Sequence, residues 1–152
     1  ARAKNQASNQ AEKIIEKEVA GMEMEIRLPG GKKVEALFDD YSVITDQPID
    51  NGGSGSAPSP FDLFLVSIGT CTGYYVLSFC QKNNIPIENI TLTARFQRNP
   101  GTHLVENILI DIYVPRGFPE KYQKAVVKAA DICTVKRNLQ NPPRIEIKIV
   151  RG

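Results

Sequence analysis

Three cysteines and a single histidine are the residues of this sequence best suited to nucleophilic chemistry: Cys71, Cys80, Cys133 and His103. These residues fit no zinc pattern, because the sequence has neither a CxxC pair nor a histidine cluster. No metal and no cofactor is therefore expected. A thiolate is a strong nucleophile, whereas a thiol on an apolar helix face stays protonated and inert. The cysteines are thus either reactive groups or reduced packing residues.

The element that must position Cys71 is a helix predicted from Pro60 to Asn83. Ser59 can cap this helix, Pro60 suits its first position, and Asp62 completes a capping box. Apolar residues recur at three and four residue spacing along it: Phe61, Phe64, Leu65, Ile68, Cys71, Tyr75 and Phe79. The helix would span roughly 36 Å at about 1.5 Å per residue. We expect it to run through the centre of the protein.

The surroundings of the thiols in this helix leave two interpretations open. Gly69 and Gly73 flank Cys71, and each costs about 1 kcal/mol relative to alanine. Either another backbone approaches closely there, or a substrate needs the space beside the sulfur. Cys71 lies beyond the first turns, where the helix dipole contributes little, so a reactive thiol needs a cation from elsewhere. Cys80 is half a turn out of phase and is interpreted as packing, and His103 as a surface residue of a hairpin.

Alternating apolar and polar residues predict strands on both sides of the helix. The strands are predicted over residues 22–28, 33–38, 41–44, 90–96, 103–114 and 145–149. A second helix opens at Pro119 and carries Cys133 near its end. The resulting order, βββ-α-ββ-α-β, is typical of an α+β protein with antiparallel sheets around a long central helix. Two helices would leave the first three strands poorly covered, so we expect association with a second copy.

The chain is expected to hold one domain over residues 20–152, preceded by a polar arm at residues 1–19. Residues 46–59 are rich in glycine, proline and serine, which predicts a flexible connector, with a lid as the alternative. No lysine follows these glycines as in a phosphate-binding loop.

Composition argues against several kinds of partner. The 152 residues are 41% hydrophobic and 24% charged, as is usual for a protein with one sizeable core. The net charge is only +2, with basic and acidic residues interspersed, which argues against nucleic acid as the main partner. No stretch offers 18 uncharged apolar residues and no secretory pattern begins the chain, so we expect no membrane partner and a cytoplasmic location.

Two segments resemble a known family. Residues 59–65, followed by Gly69-Thr70-Cys71-Thr72, resemble the central-helix motif of the OsmC/Ohr family, the osmotically inducible and organic hydroperoxide resistance proteins. Residues 132–139 resemble its second cysteine segment, with Thr134 where the family often has proline. The predicted element order is similar to that fold over residues 20–150. The resemblance implies an intertwined homodimer with two thiol sites at the subunit interface.

Site residues follow from the resemblance by position. It implies that Cys71 is the peroxidatic nucleophile and Cys133 the resolving cysteine. Asp62 stands where many OsmC-like members have an acidic residue, whereas the organic hydroperoxide resistance branch has its glutamate at the position of Phe61. We therefore expect a member outside that branch. The family's activating arginine comes from the amino-terminal region, where Arg27 is the only candidate between the tail and the helix.

Two functions are consistent with these residues. In the first, Cys71 attacks a hydroperoxide, and its sulfenic acid condenses with Cys133 to a disulfide that an external lipoyl- or thioredoxin-like dithiol reduces. Apolar neighbours such as Phe61, Phe64 and Ile68 favour an organic hydroperoxide. In the second, the protein is a non-catalytic dimer that binds an apolar small molecule or senses redox state. An unactivated Cys71 would favour the second.

Overall fold

The computed structural model describes residues 21–152, which divide into two units between Phe61 and Asp62. The first unit contains β1 (Glu25–Gly30), β2 (Lys33–Phe38) and β3 (Tyr41–Thr45). Helix α1 (Pro60–Lys82) begins just before the division, and the second unit adds β4 (Thr91–Arg98), β5 (Val105–Tyr113), α2 (Gln123–Asp131) and α3 (Thr134–Gln140). The α+β class with antiparallel sheets is confirmed. The predicted arm at residues 1–19 lies outside the described residues, and the single domain over 20–152 stays a prediction.

The three strands of the first unit form the predicted meander. Ala36 in β2 pairs with Ile26 on one side and Val43 on the other. Gly31 turns the chain between β1 and β2 with a φ of 62°, a conformation that glycine adopts without steric cost. Every residue of β1 is exposed, Leu28 to 79%. The half-buried face predicted for this strand is therefore not covered by the part of the chain that the structure describes.

The loop after β3 is organised by the carboxylate of Asp46, whose side chain is 1% exposed. This carboxylate accepts the hydroxyls of Ser54 and Ser56 at 2.6 and 2.8 Å and their N–H groups at 3.2 and 3.0 Å. These hydrogen bonds, first among them that from the Ser54 hydroxyl, hold the pKa of Asp46 well below its usual range. A Cβ added at Gly53 would overlap the carbonyl of Gln47. The loop is thus a hydrogen-bonded connector, and its flexibility and its alternative role as a lid stay predictions.

Helix α1 ends one residue before its predicted end, but its buried face differs from the predicted stripe. The buried residues recur at every fourth position: Ile68, Thr72, Val76 and Cys80. Phe61 and Phe64 are 40% and 37% exposed, and Cys71 is half-buried. The packing role predicted for Cys80 is confirmed, because it is fully buried in the core of the second unit and this burial raises the pKa of its thiol. That core consists of Val76, Cys80, Ile85, Phe118, Val126 and Ala130.

Within residues 21–152, α1 is also the one helix long and apolar enough to cross a membrane. The criterion uses length and composition alone, and the core helix of a protein in water passes it as well. The buried stripe of α1 contributes to the protein core of the second unit. The finding is therefore weak support for a membrane helix.

The two strands of the second unit form the predicted hairpin. Ala94 pairs with Ile110 at the centre of the two strands. In the turn, the side-chain oxygen of Asn99 accepts the N–H of Gly101 at 2.8 Å. His103 is exposed and has a φ of 60°, in the left-handed region that turns use. Its predicted position on the hairpin surface is confirmed.

The second predicted helix is in fact a 3-10 turn (Glu120–Tyr122) and two helices, α2 and α3. Cys133 lies between these helices with extended backbone angles, φ −59° and ψ 145°, and is the N-cap of α3. Such an angle cannot continue a helix, so the chain changes direction at this residue. The prediction that placed Cys133 inside the end of one helix was therefore wrong.

The strand predicted at residues 145–149 is not formed within the described residues. Ile145, Ile147 and Ile149 are 81%, 95% and 92% exposed. A strand requires backbone partners on a neighbouring strand, and the alternation of these isoleucines remains without such a partner in the described chain. We refer to residues 143–150 as the C-terminal segment.

Candidate functional site

Cys133 occupies the turn between α2 and α3, where its side chain is 1% exposed. Its Sγ accepts the N–H of Lys136 at 3.4 Å, which satisfies one of the free amides at the start of α3. The hydroxyl of Thr72, on the buried face of α1, lies 3.9 Å from the same sulfur. Thr72 directly follows Cys71. The fold thus brings the second thiol to the helical turn that carries the first.

A second polar contact joins the same two segments. The hydroxyl of Tyr75 lies 2.9 Å from that of Thr134, the residue after Cys133. Tyr75 follows Thr72 by three positions, a spacing that places both side chains on neighbouring positions of one helix face. We call Thr72, Tyr75, Cys133 and Thr134 the polar clasp. Two adjacent residues of the Cys133 turn are therefore each fixed to α1.

An apolar cavity of about 520 Å³ opens beside this clasp, between α1, β5, α2 and α3. Its apolar lining consists of Ile68, Ile108, Ile110, Ile112, Val127, Ala130 and Leu139. Cys133 and Thr72 also line it, together with an ion pair between Asp131 and Lys136. The cavity has room for an apolar molecule beside Cys133.

Cys71 directly precedes Thr72, which lines this cavity, but Cys71 itself does not line it. Consecutive residues of a helix point about 100° apart, so the side chain of Cys71 leaves α1 in a different direction from that of Thr72. All three cysteines are free thiols. The structure therefore brings Cys133 to the turn of Cys71 without placing both side chains in one cavity.

The other two predicted site residues lie in different parts of the chain. Asp62 is in the first turn of α1 and lines a second cavity of about 500 Å³ with Gly69 and residues of β4. Arg27 belongs to the first unit, where its guanidinium donates to both carboxylate oxygens of Glu25, at 2.9 and 3.1 Å. These hydrogen bonds raise the pKa of Arg27 and lower that of Glu25. The guanidinium of Arg27 is thus engaged by a carboxylate.

Sequence reasoning missed the residues that hold Cys133. Neither the Thr72 contact nor the bond between Tyr75 and Thr134 was predicted. One signal was available, because Ile68, Thr72, Val76 and Cys80 repeat at every fourth position. Residues 21–152 contain no group of three or more histidine, cysteine or acidic side chains that could hold a metal ion.

Comparisons with known proteins give one consistent result. A family model described as OsmC-like protein matches residues 53–148. The chain is 26% identical to an osmotic stress induced and detoxification response protein of Psychrobacter arcticus 273-4, with a TM-score of 0.66 over 78% of this chain and 88% of that one. It is 14% identical to an OsmC like protein of Mycoplasma pneumoniae, with a TM-score of 0.64 over 82% and 90% of the two chains.

A third solved structure is that of an organic hydroperoxide resistance protein of Legionella pneumophila. It is 16% identical, with a TM-score of 0.51 over 80% of this chain and 90% of that one. At such identities the Mycoplasma and Legionella structures show a shared fold alone. No curated protein matches the chain. The element order derived from the sequence up to the second helical region is that of these folds.

Proposed function

Because the chain belongs to the OsmC-like family, we propose that it is a thiol-dependent peroxidase that reduces organic hydroperoxides. Solved relatives named hydroperoxide resistance proteins support a peroxide-related role. One observation carries the proposal: the buried Cys133 sulfur lies 3.9 Å from Thr72, the residue next to Cys71. The turn that carries Cys133 thus packs against the turn of α1 that carries Cys71, and a two-cysteine mechanism requires the two thiols to come together from there.

The proposed cycle uses Cys71 as the nucleophile. Its thiolate attacks the terminal oxygen of the hydroperoxide, the O–O bond breaks, and the alkoxide takes a proton and leaves as the alcohol. The sulfur of Cys133 then attacks the resulting sulfenic acid. An S–S bond forms, the S–O bond breaks, and hydroxide leaves as water with the proton of Cys133. An external lipoyl- or thioredoxin-like dithiol reduces the disulfide by exchange.

The apolar cavity supports an organic substrate over hydrogen peroxide. Its lining is mostly isoleucine, valine and leucine, and burial of each substrate CH₂ group in such a lining contributes about 0.8 kcal/mol. Because Cys71 does not line this cavity, the cavity would hold the apolar part of the substrate, and the hydroperoxide group would have to reach Cys71 outside it. An alkyl or fatty acyl hydroperoxide matches this combination.

Activation of Cys71 is proposed to require Arg27. A nearby guanidinium favours the thiolate form of a cysteine. Arg27 donates two hydrogen bonds to the carboxylate of Glu25, which leaves other N–H groups of its guanidinium for a thiolate.

The working form is proposed to be an intertwined homodimer in the cytoplasm. The C-terminal segment alternates exposed isoleucines, as a strand that pairs with another chain would. Outside the backbone of α1, a Cβ added at Gly69 or Gly73 would meet no atom of the described chain within 4 Å. The backbone predicted to approach these glycines would therefore have to belong to a partner copy. A cytoplasmic location suits a cycle that depends on reducing dithiols.

The proposal is tested by stopped-flow mixing of the reduced protein with cumene hydroperoxide, followed by thiol counting. We expect the wild type to consume peroxide rapidly with loss of two thiols, and Cys71→Ser to consume none. Thr70→Val, at an exposed hydroxyl of the same helix, is the matched control. Slow thiol loss that does not depend on Cys71 would refute the peroxidase.

A non-catalytic dimer that binds an apolar small molecule is the second candidate. Two observations favour it: Cys71 does not line the apolar cavity, and Arg27 is engaged by Glu25. In that case an apolar ligand would bind equally well to the wild type and to Cys71→Ser. Equilibrium binding of a fluorescent fatty acid, measured beside the peroxide reaction, separates the two functions.

A further inference from the structure

We propose that the polar clasp sets the rate at which Cys133 resolves the sulfenic acid on Cys71, with Thr72, Tyr75 and Thr134 as positioning residues. This inference rests on the proposed peroxidase and adds residues that act on its second chemical step alone. It follows from four contacts at the Cys133 turn.

The first contact fixes the sulfur of Cys133. Both Thr72 and Cys133 are buried, to 6% and 1% exposure, so no bulk water competes for the 3.9 Å contact between hydroxyl and sulfur. The Thr72 hydroxyl also lies 2.8 Å from the carbonyl of Ile68 and donates to it. A hydroxyl has one proton, so Thr72 donates either to Ile68 or to the sulfur of Cys133. The reduced thiol is thereby held beside the residue that follows Cys71.

The second contact fixes the backbone that carries this sulfur. The bond between Tyr75 and Thr134, at 2.9 Å, acts one residue after Cys133 and about one turn along α1 from Thr72. Two attachment points prevent the turn from rotating about either one alone. A proline at position 134, as the family resemblance would lead one to expect, has no hydroxyl for Tyr75. This attachment is therefore a property of the present sequence.

The remaining two contacts oppose the resolving step. The Cys133 sulfur caps α3 through the N–H of Lys136, and the Asp131 carboxylate holds the Lys136 side chain. A disulfide needs the two Cβ atoms within about 3.5–4.5 Å, so the Cys133 sulfur must turn from this cap toward Cys71. The clasp keeps the turn against α1 while that rotation takes place. Without these contacts, the Cys133 turn could move away from α1, and this movement would slow the attack of Cys133 on the sulfenic acid.

The test separates the two chemical steps in single-turnover reactions of the full chain with one equivalent of cumene hydroperoxide. Sulfenic acid formation is followed by dimedone trapping, and disulfide formation by thiol counting over time. We expect Tyr75→Phe, Thr134→Val and Thr72→Val each to slow disulfide formation about threefold to tenfold, the effect of one lost hydrogen bond. Sulfenic acid formation should stay within about twofold of wild type.

Conservative and matched variants exclude a merely structural effect. Thr72→Ser and Thr134→Ser keep the hydroxyl and should restore disulfide formation. Thr70→Val removes a hydroxyl that donates to the Val66 carbonyl at 2.8 Å, as Thr72 does to Ile68, and should leave both steps unchanged. Thermal melting of every variant identifies loss of fold. Disulfide formation within twofold of wild type, or equal slowing of both steps, would overturn the inference.

A peroxide-free measurement keeps this inference distinct from the proposed function. Diamide oxidises two thiols to a disulfide and is itself reduced to the hydrazine, so it drives the Cys71–Cys133 bond directly. If the wild type fails to consume peroxide, the peroxidase is refuted. The clasp is still supported if its variants slow the diamide reaction in a Cys80→Ala background, and it is refuted if they do not.

Discussion

Helix α1 carries two cysteines in surroundings of opposite kind. Cys80 is completely buried among apolar side chains that include Val76 and Phe118, and this burial raises the pKa of its thiol. Cys71 is half-buried, and its turn meets the polar clasp through Thr72. The same residue type, nine positions apart on one helix, is therefore enclosed by apolar side chains in one case and only half-buried in the other. What packs on each helix face, rather than the helix itself, separates an inert thiol from a candidate nucleophile.

The largest effect is expected when the resolving thiol of Cys133 is removed. Cys133→Ser should consume one equivalent of cumene hydroperoxide and then stall, because the sulfenic acid on Cys71 no longer has a resolving thiol. The stalled form should carry a dimedone-trappable sulfenic acid at Cys71, detectable by mass spectrometry. Cys80→Ala should complete the cycle at the wild-type rate.

Two results would contradict this assignment. Turnover of Cys133→Ser at the wild-type rate with dihydrolipoamide would replace the resolving role by a one-cysteine mechanism. A stalled cycle in Cys80→Ala would move the site to Cys80 and Cys133.

The second prediction places the same new hydroxyl in both environments. Cys80→Ser puts a hydroxyl into the buried core and should lower the free energy of unfolding by about 1–3 kcal/mol. Cys71→Ser, at a half-buried position, should lower it by less than about 0.5 kcal/mol. Urea unfolding of the two variants gives the comparison. Equal losses would mean that the two environments do not differ in the folded assembly.

A third measurement tests whether a second copy covers the half-buried Cys71 in solution. If it does, each tenfold dilution should lower the stability of the dimer by about 1.4 kcal/mol, and the melting temperature should fall. Alkylation of Cys71 by iodoacetamide should speed up on dilution, while Cys80 stays protected by its own unit. Sedimentation that detects a folded monomer at micromolar concentration would argue against the obligate dimer.

The smallest effect is expected at the start of the same helix. Asp62→Asn should cost under about 1 kcal/mol of stability and change the peroxide rate little, if the carboxylate only caps α1. Urea unfolding and the stopped-flow rate measure the two quantities. A large loss of rate at unchanged stability would instead assign Asp62 to orienting the activating cation.

Local patterns predicted most of the fold. The alternation in β1 to β5 and the cap signals of α1 depend on neighbouring residues, and these elements formed close to the predicted bounds. The face of α1 was less predictable, because Phe61 and Phe64 fit an apolar stripe as well as Val76 and Cys80 do. Only the packing of the hairpin and α2 selects the second set.

The sequence predicted which cysteines belong to the candidate site, but it did not predict the contacts that hold them. Cys71 and Cys133 could be singled out by residue type and by family resemblance. The contact of Thr72 with Cys133 spans 61 positions, and a single sequence carries no signal for such a pair. The break of the second helix at Cys133 was equally hidden, because a cysteine N-cap is not among the usual capping residues.

The loop around Asp46 has a consequence for how assays of this protein are interpreted. Because its folded pKa is held below the ordinary value of about 3.9, Asp46 stabilises the fold fully above that pH, and the contribution is lost only as the solution becomes more acidic. Between neutrality and mild acid the Asp46 carboxylate therefore stays ionised. A change in peroxide consumption over that range would report on groups other than Asp46.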